Sequence, residues 1–192
     1  MKKKQTIGLF LLFLVFLQFQ YAERFVWTTV TANLFSHHDK NYKDIYGDFL
    51  FAPEIKFSLN LFSGFYAWSS VLYVPAKWEL KAYNITAKSR QLFYSVGLGD
   101  QVRFSERIRG HFEIGVMLMQ YREEVASEVQ TGSDFGMRFN AGLNYRILDR
   151  LFACMTISYL KGASTIGDKE IQLGGLKSSI GFELVIAKKK QE

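Results

Sequence analysis

From Phe135 to Arg146 the chain reads Phe-Gly-Met-Arg-Phe-Asn-Ala-Gly-Leu-Asn-Tyr-Arg, with an apolar or aromatic residue at every odd position and Gly, Asn or Arg at every even one. A period of two residues puts these sets on opposite faces of an extended strand. The same alternation runs through Glu54 to Leu61, where Ile55, Phe57, Leu59 and Leu61 share one face and Glu54, Lys56, Ser58 and Asn60 the other. A sheet built this way gives its two faces different environments. No amphipathic stretch with a 3.6-residue period competes with it.

Eight segments of strand character follow one another, each bounded by Gly, Asp, Asn, Pro or charge clusters: Arg24 to Phe35, Leu50 to Leu61, Phe65 to Val74, Gln91 to Arg103, Gly110 to Tyr121, Phe135 to Arg146, Leu151 to Leu160, and Leu173 to Ala187. Their connections alternate in length. Ser63-Gly64, Ser105 to Arg109 and Leu148 to Arg150 are short, whereas Ser36 to Phe49, Pro75 to Arg90, Arg122 to Asp134 and Lys161 to Gln172 are long. With antiparallel strands, all short turns then fall at one end and all long loops at the other, the layout of a barrel in the outer membrane. About ten residues per strand, tilted near 45°, span roughly 24 Å, close to the apolar band of such barrels. Aromatic residues crowd the strand ends, where Trp68, Tyr73, Trp78, Tyr121 and Tyr145 are expected at the bilayer interfaces.

Upstream, Lys2, Lys3 and Lys4 precede an apolar run from Ile7 to Phe19, and Ala22 offers a small residue for cleavage. This is the layout of a secretory signal peptide, and the run is too short for a spanning helix. The sequence therefore divides into a leader over residues 1–22, a single domain over 23–187 and a basic tail over 188–192. Without the three leader lysines, 21 of the 24 basic residues remain against 18 acidic ones, a net charge of about +3. That surplus, partly the Lys188-Lys189-Lys190 tail, is weak ground for a nucleic-acid partner. A lone Cys154 excludes an internal disulfide framework and reads as a small buried residue.

A secreted lipocalin-like barrel shares the strand count, with its apolar face inside. The polar face here is made of small groups, among them Thr29, Asn33, Ser58, Ser95, Gly97, Gly115, Asn140, Asn144 and Ser158, with few charges. Such a face suits a narrow lumen better than open water. The apolar set, including Val30, Leu34, Phe57, Leu98, Val116, Phe139, Ile157 and Phe182, is too bulky for the inside of eight strands and fits lipid. The carrier of an apolar ligand stands as the alternative.

On leader, strand count, loop asymmetry and strands such as Phe135 to Arg146 and Ser178 to Ile186, the chain resembles the small eight-stranded outer-membrane barrels, the OmpX, OmpA-transmembrane-domain and opacity-protein group. The resemblance implies an all-β, up-and-down transmembrane barrel in a bacterial outer membrane, monomeric, with membrane lipids as neighbours and an extracellular or host partner for the long loops. It carries no diagnostic motif. Members of that group commonly end on an aromatic residue, whereas here Phe182 and Leu184 are followed by Val185 to Ala187 and then Lys188 to Glu192.

Charged residues with inward parity are Glu54, Lys56, Glu113, Arg138, Arg146, Lys177 and Glu183, with His111 near the turn end. In so narrow a lumen they must satisfy one another, because an unpaired buried charge is costly. A polar side-chain plug is the reading, since a wide aqueous channel takes about 16 strands. Some small outer-membrane barrels act on lipid A through a His and a Ser near the rim. Ser36, His37 and His38 are the only candidates for that chemistry here, and neighbours on an extended chain point opposite ways. No cofactor, no metal site and no catalysis is expected.

Overall fold

The computed structural model describes residues 24–80, 85–125, 128–166 and 169–188; the expected leader and the end of the basic tail lie outside them. Strands β1 (Arg24–His37), β2 (Leu50–Phe62), β3 (Phe65–Leu80), β4 (Ile85–Arg103), β5 (Ile108–Val125), β6 (Glu128–Leu148), β7 (Leu151–Ile166) and β9 (Gly175–Lys188) pair antiparallel, each with its sequence neighbour. A β1–β9 ladder and a β7–β9 ladder close them into an eight-stranded barrel, and the short β8 (Lys169–Gln172) folds back on β7 alone. A seven-residue helix, α1 (Lys40–Tyr46), stands between β1 and β2.

The pairing climbs as it goes round. Trp27 faces Ser58, then Trp68, Gly97, Gly115, Arg138, Leu160 and Gly175 in turn, and Gly175 faces His37, ten residues above the start. A stagger of that size tilts the strands well away from the barrel axis, as closure of a narrow barrel requires. The tight β2–β3 turn places Ser63 at φ 49°, and a side chain on Gly64 would run into the carbonyl oxygen of Gln101 at 2.5 Å. Glycine is needed there for close backbone approach.

The alternation decides which face is wet. Val30, Leu34, Phe57, Val96, Ile114, Val116, Met155, Ile157, Ile180 and Phe182 are exposed on the outer wall, while Glu54, Ser58, Asn60, Ser95, Glu113, Arg138, Asn140, Asn144 and Ser158 are buried inside. A lipocalin-like arrangement, with the apolar set inside, is the reverse of this. Three of the five aromatics expected at the bilayer interfaces need correcting. Tyr73 and Tyr145 do face outward, but Trp68 is 3% exposed and Tyr121 7%, both inside the barrel, and Trp78 packs against the buried cluster near the loop end. On β3 the even positions point inward, so Trp68 and Trp78 share a face with Tyr66, Ser70, Leu72 and Val74. Trp68 sits close to the β2–β3 turn.

The long connections hold more structure than their sequence suggested. Most of Pro75 to Arg90 and Arg122 to Asp134 is strand, the β3–β4 ladder running out to Leu80 facing Ile85 and the β5–β6 ladder to Val125 facing Glu128. Residues 128–131 and 133 are exposed whichever way they point. With water on both sides no alternation is required, and hydrogen bonding alone carries the ladder outward.

Candidate functional site: the closed lumen and its mouth

The inward side chains form three levels, and β3 shows all of them: Tyr66 and Trp68 toward the turns, Ser70 in the middle, Leu72, Val74 and Ala76 toward the loops. At the turn end Trp27, Tyr66, Trp68, Phe152 and Val185 pack together. Trp68 fits because Gly97 and Gly115 lie beside it on β4 and β5; a methyl group on either would come within 2.7 Å of its ring. Its indole N–H donates to the carbonyl oxygen of Leu98 at 3.1 Å. Cys154 is buried on the same inner face.

Charge occupies the middle. Glu54 of β2 reaches two cations: Arg138 of β6, on the opposite wall, donates to Oε1 at 2.5 Å, and Lys177 of β9, two strands away, meets Oε2. Arg138 also donates to Asn140 Oδ1 at 2.8 Å and Ser70 Oγ at 3.0 Å, with its guanidinium 5.4 Å from the Trp68 ring. A second group forms around Glu113 of β5, which accepts from Lys56 at 2.5 Å, the Tyr66 hydroxyl at 2.7 Å and Asn140 Nδ2 at 2.6 Å. Nearer the turns Glu183 pairs with Arg24 and accepts from Asn144 Nδ2 at 2.9 Å, while the Arg24 guanidinium lies 4.2 Å from the Phe152 ring. His111 touches Thr156 at 3.3 Å. Charges withdrawn from water hold only when geometry and extra hydrogen bonds compensate desolvation; Glu113 meets this through Tyr66 and Asn140 in addition to Lys56. Beside them a small cavity, lined by Lys56, His111, Glu113, Asn144 and Glu183 among others, has room for about one water molecule.

Of the inward charges read from sequence, the structure brings Glu54, Arg138 and Lys177 together, Lys56 with Glu113, and Glu183 with Arg24. Arg146 joins none of these groups: it lies half-buried at the turn end, its backbone N–H donating to the Arg107 carbonyl at 2.8 Å. Sequence reasoning missed Arg24, Asn140, Asn144 and Tyr66 as partners. Parity already put both asparagines on the lumen face, but which charge each would meet depends on the ring closure.

The mouth is apolar and lidded by the first loop. Asp39 caps α1 by accepting from the Tyr42 N–H at 3.1 Å, and Gly47, at φ 93°, ends it. The helix buries Tyr42 and Tyr46 in the cluster of Phe35, Leu50, Leu72, Val74, Phe93, Met119, Tyr121 and Leu160. His37 lies 4.0 Å from Tyr42 ring to ring, and the Tyr46 hydroxyl donates to Glu123 Oε1 at 2.7 Å. Burial first, then that carboxylate, pushes the Tyr46 phenol well above its ordinary pKa, while burial lifts Tyr42 to about 12. His38 turns outward toward Tyr159, centroids 5.2 Å apart, on the opposite face from His37.

An apolar outer wall, a closed antiparallel ladder and short turns at one end define the class: a small eight-stranded antiparallel β-barrel. Known structures with this fold include OprG of Pseudomonas aeruginosa (TM-score 0.65, 12% identity, covering 86% of this chain and 97% of that one) and the neisserial surface protein NspA (0.61, 8%, 86% and 98%). Ail, the attachment invasion locus protein of Yersinia pestis, superposes at TM-score 0.51 with 14% identity, covering 86% of this chain and all of its own. No family model and no curated protein sequence matches the chain. The likeness is one of fold, to small outer-membrane barrels.

Proposed function

We propose that the protein is an integral outer-membrane barrel, monomeric and non-enzymatic, whose lumen is plugged by its own side chains and whose role is structural or one of surface interaction through its loop end. The observation that supports this is Glu54, which joins β2 to Arg138 of the opposite strand β6 and to Lys177 of β9 at mid-height of the lumen. OprG, NspA and Ail have this fold, and their names place them at bacterial surfaces or outer membranes; the present chain adds a leader of the expected layout. Lipid-A chemistry through Ser36, His37 and His38 finds no support in the geometry, because His37 is buried in the mouth and His38 faces outward.

Reconstitution of the purified full-length protein into planar bilayers tests the reading. A compact form that runs faster on gels until boiled, together with no stepwise conductance, is the expected result. Steady ion flux through a folded barrel would replace the plug with a pore. Recovery of the native protein as a soluble species would sink the membrane reading.

A further inference from the structure

On the outer wall just above the apolar band, β3, β4 and β5 present two rows of cations. Arg90 of β4 stands directly opposite Arg122 of β5, and Lys88 directly opposite Lys77 of β3. All four are exposed. Like charges directly across a ladder are destabilising, and the neighbouring acids answer only part of this: Glu79 takes Lys77, and Glu124 faces Lys88. Among the described residues neither Arg90 nor Arg122 has a carboxylate partner; beside Arg90 is Pro75 and beside Arg122 is Thr131. Two guanidinium groups held side by side form a ready fork for phosphate oxygens.

The level of this pair matters as much as its charge. One outward row below it are Tyr73, Leu92 and Gln120, and one row further Val71, Tyr94, Leu118 and Phe135, where the lipid-facing wall begins. The cations therefore stand at the height of lipid headgroups on the loop side. Below them, on the same strands, the wall has a shallow apolar groove. Its floor is Ala67 and Ser69, small residues of β3, and its sides are Phe57, Leu59, Val96 and Leu98. From Arg90 to Val96 is six residues along β4, about 20 Å of strand. A charged head and an apolar seat thus lie along the same tilted strand, offset sideways as well as in height.

We propose that Arg90 and Arg122, assisted by Lys77 and Lys88, bind the phosphate of a phosphorylated lipid of the outer leaflet, with an acyl chain of that lipid lying in the Ala67–Ser69 groove. The site rests on the outer-membrane reading above. Bound phosphate relieves the cross-strand repulsion, which is why the sequence tolerates two cation pairs in succession. A soluble polyanion would use the arginines but gain nothing from the groove.

The test uses the full-length barrel in phosphatidylcholine nanodiscs doped with lipid A, with retained lipid counted by native mass spectrometry. Wild type should keep lipid A in preference to a dephosphorylated analogue. R90Q/R122Q should keep at least about tenfold less, S69L should lose retention with the cations intact, and R150Q at the opposite rim should match wild type. Without lipid A, R122Q should raise the temperature at which the compact gel form is lost, because one repulsive pair is gone. Equal retention by wild type and R90Q/R122Q would overturn the proposal. So would indifference to the lipid's phosphates, or displacement by pyrophosphate at matched concentration. A chain with no heat-modifiable form in any lipid would defeat the barrel reading itself; a barrel that folds and ignores lipid A defeats only the site.

Discussion

The middle of the lumen and its mouth are both filled, but by different physics. At mid-height Glu54, Arg138 and Lys177 come from three strands of a continuous hydrogen-bonded wall, and loss of Glu54 would strand both cations. At the mouth the filling is apolar and arrives on a seven-residue helix in a loop, held to the wall by the packing of Tyr42 and Tyr46 and by a hydrogen bond from Tyr46 to Glu123. The contrast sets charges fixed in the wall itself against an apolar contact delivered by a loop, which is expected to open first.

The largest effect belongs to the belt. Glu54→Ala leaves Arg138 and Lys177 buried and unpaired, and should cost about 3–5 kcal/mol, read as a lower urea midpoint for loss of the compact gel form. Replacing Glu54, Arg138 and Lys177 together by Met should restore most of that loss; a triple variant as unstable as the single one would break the idea that charge pairing decides this level. Truncating the lid, Tyr42→Ala with Tyr46→Ala, should cost about 2–4 kcal/mol of local stability, seen as faster hydrogen exchange in residues 40–46 with an unchanged barrel transition. A shifted barrel transition would show that lid and wall form one unit.

Smaller effects separate the lid's two ties. Tyr46→Phe keeps the ring and loses the bond to Glu123, for about 1–2 kcal/mol. Burial and the Glu123 carboxylate raise the Tyr46 phenol above its ordinary pKa of about 10 in the folded state, so the folded protein holds that proton more tightly. Its contribution is present below about pH 10 and fades as pH rises beyond it. Exchange in α1 should therefore quicken above pH 10 in wild type, and the step should vanish in Tyr46→Phe. A step that persists in the variant would assign it to another group.

The architecture was legible because most barrel strands repeat one instruction: Phe57 out, Ser58 in, Leu59 out, Asn60 in. Lipid accepts any apolar side chain, so the outer wall can be read one residue at a time. The lumen cannot. Phe65 to Val74 reads Phe-Tyr-Ala-Trp-Ser-Ser-Val-Leu-Tyr-Val, and neither face is polar, so parity alone does not say where Trp68 goes. The signal lay on other strands, in Gly97 and Gly115, whose missing side chains make the space for its ring. Tyr121 repeats the pattern over Gly132. The belt was legible as a set of charges; which carboxylate meets which cation depends on a ring closure that no local segment encodes. The α1 lid was missed because seven residues in a polar loop give too short a periodic pattern to stand out.

Closure by β9 sets a timetable for the molecule. Trp27 on the first strand has its partner at Val185 on the last, and β9 must also reach back to β7. Every other ladder of the barrel joins neighbours in sequence, so hairpins can form as the chain is delivered, but the ring stays open until the final segment arrives. Contacts between such distant residues are slow to form. Until they do, β1 and β7 each carry an unpaired edge able to accept a strand from elsewhere. The chain is therefore most in need of protection after it is complete and before it is closed.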